Sequence, residues 1–91
     1  MTKEEIRTKA RTFLVSNFLA LGDEAELDDS ESLLEQGIVD STGVLELVGF
    51  IQDTFDIEVR DEEIVPTNLD TVDNLVVFIE GKLAVRRAKS A

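Results

Sequence analysis

"GIVDSTGVLELVGFIQDTF", residues 37–55, decides what kind of fold this chain can make. Val44, Leu47, Val48, Ile51 and Phe55 recur at steps of three and four, the spacing of one buried face of an α-helix. The opposite stripe holds Thr42, Leu45, Glu46, Gly49, Gln52 and Asp53. It sets a leucine and a glycine among carboxylates, an unusual surface for a helix with no partner. Gly37 marks a turn just ahead, and Asp40-Ser41 stands where loop becomes helix. Ser and Asp both favour the N-cap position. The reciprocal acid of a capping box is missing, because Val44 lies three residues after Ser41 and Gly43 three after Asp40. Ser41 therefore has two readings. It is a cap, or it is a hydroxyl presented at a helix start, where unpaired N–H groups and the positive dipole end favour an attached phosphate.

The flanking segments extend the helical pattern in both directions. Residues 3–20 place Ile6, Ala10, Phe13, Leu14, Asn17 and Phe18 on one face, with Leu21 beyond, and Thr2 and Glu5 form a capping box at the start. Gly22 is placed to end that helix. The connection over 22–40 is long and acidic, but Leu27, Leu33, Leu34, Ile38 and Val39 should pin it to the bundle. After the second helix, "DEEIV" (61–65) is expected to make one turn capped by Asp61 and stopped by Pro66. A last helix is expected from Asp70 as N-cap, with Asp73 in its first turn, burying Val72, Leu75, Val76, Ile79 and Leu83. Its valines would also suit a strand; the three-four spacing and the capping favour helix. One domain spans 1–91, ordered over about 3–84, with a basic tail at 85–91 expected to fray.

Composition narrows the chemistry. The chain has no Cys and no His, which excludes disulfides, thiolate metal sites and catalysis by an intrinsic thiol or imidazole. "DEAELDDSE" (23–31) lacks the spacing of an EF-hand loop, and no P-loop, dinucleotide fingerprint or nucleophile elbow is present, so neither a metal site nor a catalytic site is expected. No stretch reaches the roughly twenty apolar residues of a membrane span, and the charged N-terminus is unlike a signal peptide. A soluble cytoplasmic monomer is the expectation. Between residues 12 and 81 the single base Arg60 faces eighteen acids. Such a field repels nucleic acid and anionic membrane and steers basic protein surfaces toward the middle of the chain.

Taken together, "LLEQGIVDSTGVLELVGFIQDTFDIEVRDEEI" (33–64) and "NLDTVDNLVVFI" (68–79) resemble the phosphopantetheine-dependent carrier proteins, the acyl and peptidyl carrier family. The resemblance covers nearly the whole chain. It implies an all-α four-helix bundle with a long first loop and a short third helix. It also implies that Ser41, beside Asp40, receives a covalent 4′-phosphopantetheine from coenzyme A through a separate, magnesium-using phosphopantetheinyl transferase. The thiol of that arm would hold cargo as a thioester, which accounts for a carrier with no cysteine. By the same resemblance, partner enzymes with basic surfaces would dock on the second helix through Thr42, Leu45, Glu46, Gly49, Asp53 and Asp56.

Departures from the fatty-acid-synthesis members lie around the same serine. Those carry Leu and Asp after Asp-Ser, where this chain has Thr42 and Gly43; Gly49 stands in place of a frequent Met, and Gln52 in place of an acid. The stretch looks closer to stand-alone carriers loaded by a dedicated ligase. Two cargo classes stay open: an acyl group of a fatty-acid, polyketide or related pathway, or an aminoacyl or peptidyl group supplied by an adenylating ligase. An acidic interaction domain in which Ser41 is only a cap is the reading from a different class. Gly43 and Gly49, each costing up to about 1 kcal/mol relative to Ala in a helix, either admit a partner close to the backbone or are simply tolerated.

Overall fold

At the N-terminus the side chains of Thr2 and Glu5 satisfy each other's backbone: the Glu5 N–H donates to Thr2 Oγ1 and the Thr2 N–H donates to Glu5 Oε1, both at 3.2 Å. This capping box opens α1 (Lys3–Phe18) in a computed structural model that describes residues 1–19 and 27–90, with side chains to residue 86. The expected stop at Gly22 and the place of Leu21 lie outside the described residues. Three further helices follow, α2 (Ser41–Phe55), the single-turn α3 (Pro66–Leu69) and α4 (Val72–Ser90), with a 3₁₀ turn at Asp61–Glu63 before α3. The architecture is an all-helical bundle with a long first connection and a short third helix.

The core follows the apolar periodicity. Ile6 and Leu14 of α1 and Leu75, Val76 and Ile79 of α4 share one buried cluster with Leu47, Ile51 and Phe55 of α2, and Ala10 of α1 is buried as well. Val44 and Leu83, both expected in the core, are half-buried. Asn17, on the predicted face of α1, is exposed and turns its amide back to the Phe13 carbonyl. An aromatic seam joins α1 to α2: Phe13 stacks on Phe50 with centroids 4.1 Å apart, and Phe18 and Phe55 meet the ends of this pair edge-on.

The long connection is pinned by both apolar and charged groups. Leu27, Leu33 and Val39 are buried, whereas Leu34 is 43% exposed. Arg7 of α1 bridges Asp29 of the loop and Asp73 of α4 at 2.7 Å each, and Arg11 bonds Asp29 and the Leu27 carbonyl. The Asp73 N–H donates to the Asp29 carbonyl at 3.0 Å, so loop, α1 and α4 meet at one partly buried cluster.

Three local expectations are corrected. Asp61 caps nothing; the 3₁₀ turn is closed by Glu63, whose carboxylate accepts from the Arg60 N–H at 2.9 Å. Pro66 opens α3 and does not stop it: its fixed φ and missing N–H suit the first helical position. Asp70 is the C-cap of α3, and α4 is capped one residue later by Thr71, whose Oγ1 accepts from the Asn74 N–H at 2.9 Å. The backbone of α4 is helical through Ser90.

Candidate functional site

Asp40 is the N-cap of α2. Its backbone is extended and its Oδ1 accepts from the Gly43 N–H at 2.7 Å. That settles the division of labour at the helix start, because Ser41 is the first helical residue and caps nothing. Its side chain is exposed, and among the described residues Ser41 Oγ has no hydrogen-bond partner. The hydroxyl therefore stands free at the positive end of a fifteen-residue helix. A phosphate esterified here meets a favourable dipole and no side chain that must move, so the residues present fit a phosphopantetheinyl group.

The surface running away from Ser41 along α2 carries the stripe expected from periodicity, apart from Gln52. Thr42, Leu45, Glu46 and Asp53 are exposed and share one face, and Leu45 is 64% exposed. Gly49, between them, is partly covered, and a Cβ there would meet nothing within 4 Å. Gly43 belongs to the opposite side. It is buried, and a Cβ would come within 2.9 Å of the Phe18 ring and 3.1 Å of Val39. Gln52 turns inward, its Oε1 accepting from the Val59 N–H at 3.0 Å, which fastens the segment after α2. Asp56 ends α2 in a left-handed conformation (φ 54°) and pairs with Arg86 of α4 at 2.7 Å, at the far end of the helix from Ser41.

Charge is distributed so that the α2 face stays acidic. Lys3, Arg7, Arg11, Lys82 and Arg86 each reach a carboxylate on another element. Asp40, Glu46 and Asp53 have no basic partner among the described residues. Net charge alone did not reveal this arrangement; it follows from the bases being used elsewhere.

Sequence reading did not find the apolar cleft beside the helix start. Its volume is about 120 Å³. Leu33, Leu34 and Val39 of the long loop, Val44 of α2, and Ile64, Val65, Pro66 and Leu69 from the segment around α3 line it. Val44 lies one turn along α2 from Ser41, so the cleft and the free hydroxyl share a neighbourhood. Three separate segments build it, and none carries a motif. The one signal available was an adjacent pair, Leu33-Leu34, of which only one member fits in the core.

Known proteins place this geometry in context. The family model for phosphopantetheine attachment sites matches residues 14–79, most of the chain and all of α2. The probable acyl carrier protein PigG of Serratia sp. (strain ATCC 39006) is 29% identical over 75 residues, covering 82% of this chain and 85% of that protein. The members of this family are non-catalytic carriers, and among the described residues no helix is long and apolar enough to cross a membrane. The chain belongs to the phosphopantetheine-binding family of carrier proteins, whose prosthetic group is a covalently attached 4′-phosphopantetheine.

Proposed function

We propose that Ser41 is the attachment residue and that the protein is an acyl carrier, working as a monomer in the cytoplasm. The observation that carries this reading is the free, exposed hydroxyl at the first residue of α2, released from capping by Asp40. On a phosphopantetheinyl transferase, Ser41 Oγ attacks the phosphorus that bears the pantetheine arm of coenzyme A. The new Ser–O–P bond forms as the pyrophosphate P–O bond breaks, adenosine 3′,5′-bisphosphate leaves with the electron pair, and the serine proton passes to a base on the transferase. The attached group supplies a terminal thiol that holds cargo as a thioester. The transferase, the ligase and the downstream biosynthetic enzymes dock through Thr42, Leu45, Glu46, Gly49 and Asp53, with Asp56 at the rim, drawn by opposite charge.

An acyl cargo is supported by the cleft, whose walls are apolar apart from Asp70, and by the name of the Serratia relative. The small volume of the cleft favours a compact group, and this supports a second reading in which an adenylating ligase loads an amino acid. The two readings separate chemically. Hydroxylamine treatment of protein isolated from its own host releases the thioester cargo as a hydroxamate. An acyl hydroxamate without an amine is the expected product; an aminoacyl hydroxamate moves the assignment to the second reading.

A further inference from the structure

The cleft has one polar residue in its lining, Asp70, at the seam between α3 and α4. Expected as a helix cap, its carboxylate instead faces the long loop. Oδ1 accepts from the Leu34 N–H at 3.0 Å, Oδ2 accepts from the Ser32 hydroxyl, and the Asp70 carbonyl accepts from the Leu33 N–H at 2.7 Å. All other hydrogen bonds of residues 32–39 stay within that segment: Glu35 to Ser32 Oγ, Gln36 to the Ser32 carbonyl, Gly37 to the Leu34 carbonyl, and Ile38 and Val39 to the Leu33 carbonyl. Among the described residues, then, the only polar tie between this segment and the rest of the fold is Asp70.

The two leucines on the loop wall are held differently. Leu33 is 2% exposed, so apolar burial fixes it, and its N–H bonds a backbone carbonyl that no side-chain change removes. Leu34 lines the cleft but is 43% exposed, so burial holds it less firmly, and its N–H bonds the Asp70 carboxylate; we take it as the lip of the cleft. Loss of that carboxylate frees the lip and leaves the buried end of the loop anchored. Size then decides what the cleft shelters. At about 120 Å³ it is slightly smaller than the roughly 150 Å³ cavity that accommodates benzene in another protein.

Building on the carrier reading, we propose that Asp70 is a positioning residue that holds the Leu34 lip closed and so limits sheltered cargo to an acyl group about the size of a six-membered ring. The test uses butyryl, benzoyl, octanoyl and dodecanoyl phosphopantetheine analogues, transferred from the matching coenzyme A derivatives. The recipients are the unaltered chain, Asp70→Ala and Ser32→Ala, with attachment read by intact mass. Two readouts follow: the methyl resonances of Val44 and Leu69, and amide exchange at Leu33 and Leu34 before loading.

In the unaltered chain, butyryl and benzoyl should shift both methyl groups, and lengthening to dodecanoyl should add nothing. In Asp70→Ala the shift should grow with chain length, and the Leu34 amide should exchange about tenfold faster while Leu33 does not change. Ser32→Ala keeps the Leu34 bond and should show a smaller change in the same direction; it replaces Asp70→Ala if that variant fails to fold. The same chain-length dependence in variant and unaltered chain, or an unchanged Leu34 amide, overturns the proposal. Attachment without methyl shifts for any analogue also overturns it and leaves the carrier reading standing. No attachment at all overturns the carrier reading itself.

Discussion

A Cβ added at position 43 would sit 2.9 Å from the Phe18 ring, and one added at position 49 would meet nothing within 4 Å. Both glycines lie in the same helix, and the sequence left the same two readings open for each, close approach of a partner or simple tolerance. The difference arises from tertiary approach: α1 brings Phe18 against the first turn of α2, and no helical period records where a neighbour lies. Gly43→Ala should therefore lower stability by about 1–3 kcal/mol as ring and loop shift, and Gly49→Ala should raise it by up to about 1 kcal/mol. Chemical denaturation measures both. Gly49→Ala also tests the docking face, because unchanged loading by the ligase would remove position 49 from it. The helix start gives a second contrast. Asp40→Ala should cost about 1 kcal/mol, the usual worth of an N-cap, while Ser41→Ala should stay within about 0.5 kcal/mol. Equal losses would return a capping role to Ser41.

At the scale of elements, α2 was the most legible part of the chain. Its bounds, Ser41–Phe55, are those read from spacing, and four of the five side chains assigned to its core are buried. A long periodic segment ending at an αL residue leaves little room for another reading. The α3–α4 junction was less legible because the residues there are chemically ambiguous. Pro66 ends a helix that precedes it and starts one that follows, and the sequence reading took the first sense. Asp70 is a good cap in isolation, yet Thr71 beside it takes that role, leaving the carboxylate for the loop. The cleft was illegible because its walls come from segments about thirty residues apart. For α2 itself the charge pattern yields a kinetic prediction. Among the described residues Glu46 and Asp53 have no basic partner, so a partner's cations can meet them directly. Glu46→Lys or Asp53→Lys should slow loading by the transferase and the ligase, and added salt should slow loading of the unaltered chain. A salt-independent association rate would contradict electrostatic steering.

Across the whole molecule, a net charge of −11 is carried by a fold in which Lys3, Arg7, Arg11, Lys82 and Arg86 act as ties between elements. Arg7 joins the loop to α4, and the carboxylates of Asp73 and then Asp29 hold its guanidinium pKa above the ordinary value. Lys82 joins α4 to Glu63, and with the Arg60 N–H it holds that carboxyl below its ordinary pKa. Glu63 therefore contributes stability that is full above the unfolded carboxylate range and is lost as pH falls through its lower folded value. Glu63→Gln should lower stability at neutral pH by at most about 1 kcal/mol, as for a partly exposed pair, and the gap should close below the carboxylate range. Denaturation midpoints from pH 7 to pH 3 measure this; a gap that widens on acidification would contradict it.

The most direct test of the account is the covalent one. Purified protein is incubated with coenzyme A, magnesium and a broad-specificity phosphopantetheinyl transferase, and its intact mass is read beside that of Ser41→Ala. A gain of one phosphopantetheinyl group in the unaltered chain, absent from the folded Ser41→Ala variant, is the predicted result. An unmodified chain with a transferase that modifies a control carrier, or modification that persists in Ser41→Ala, would contradict it.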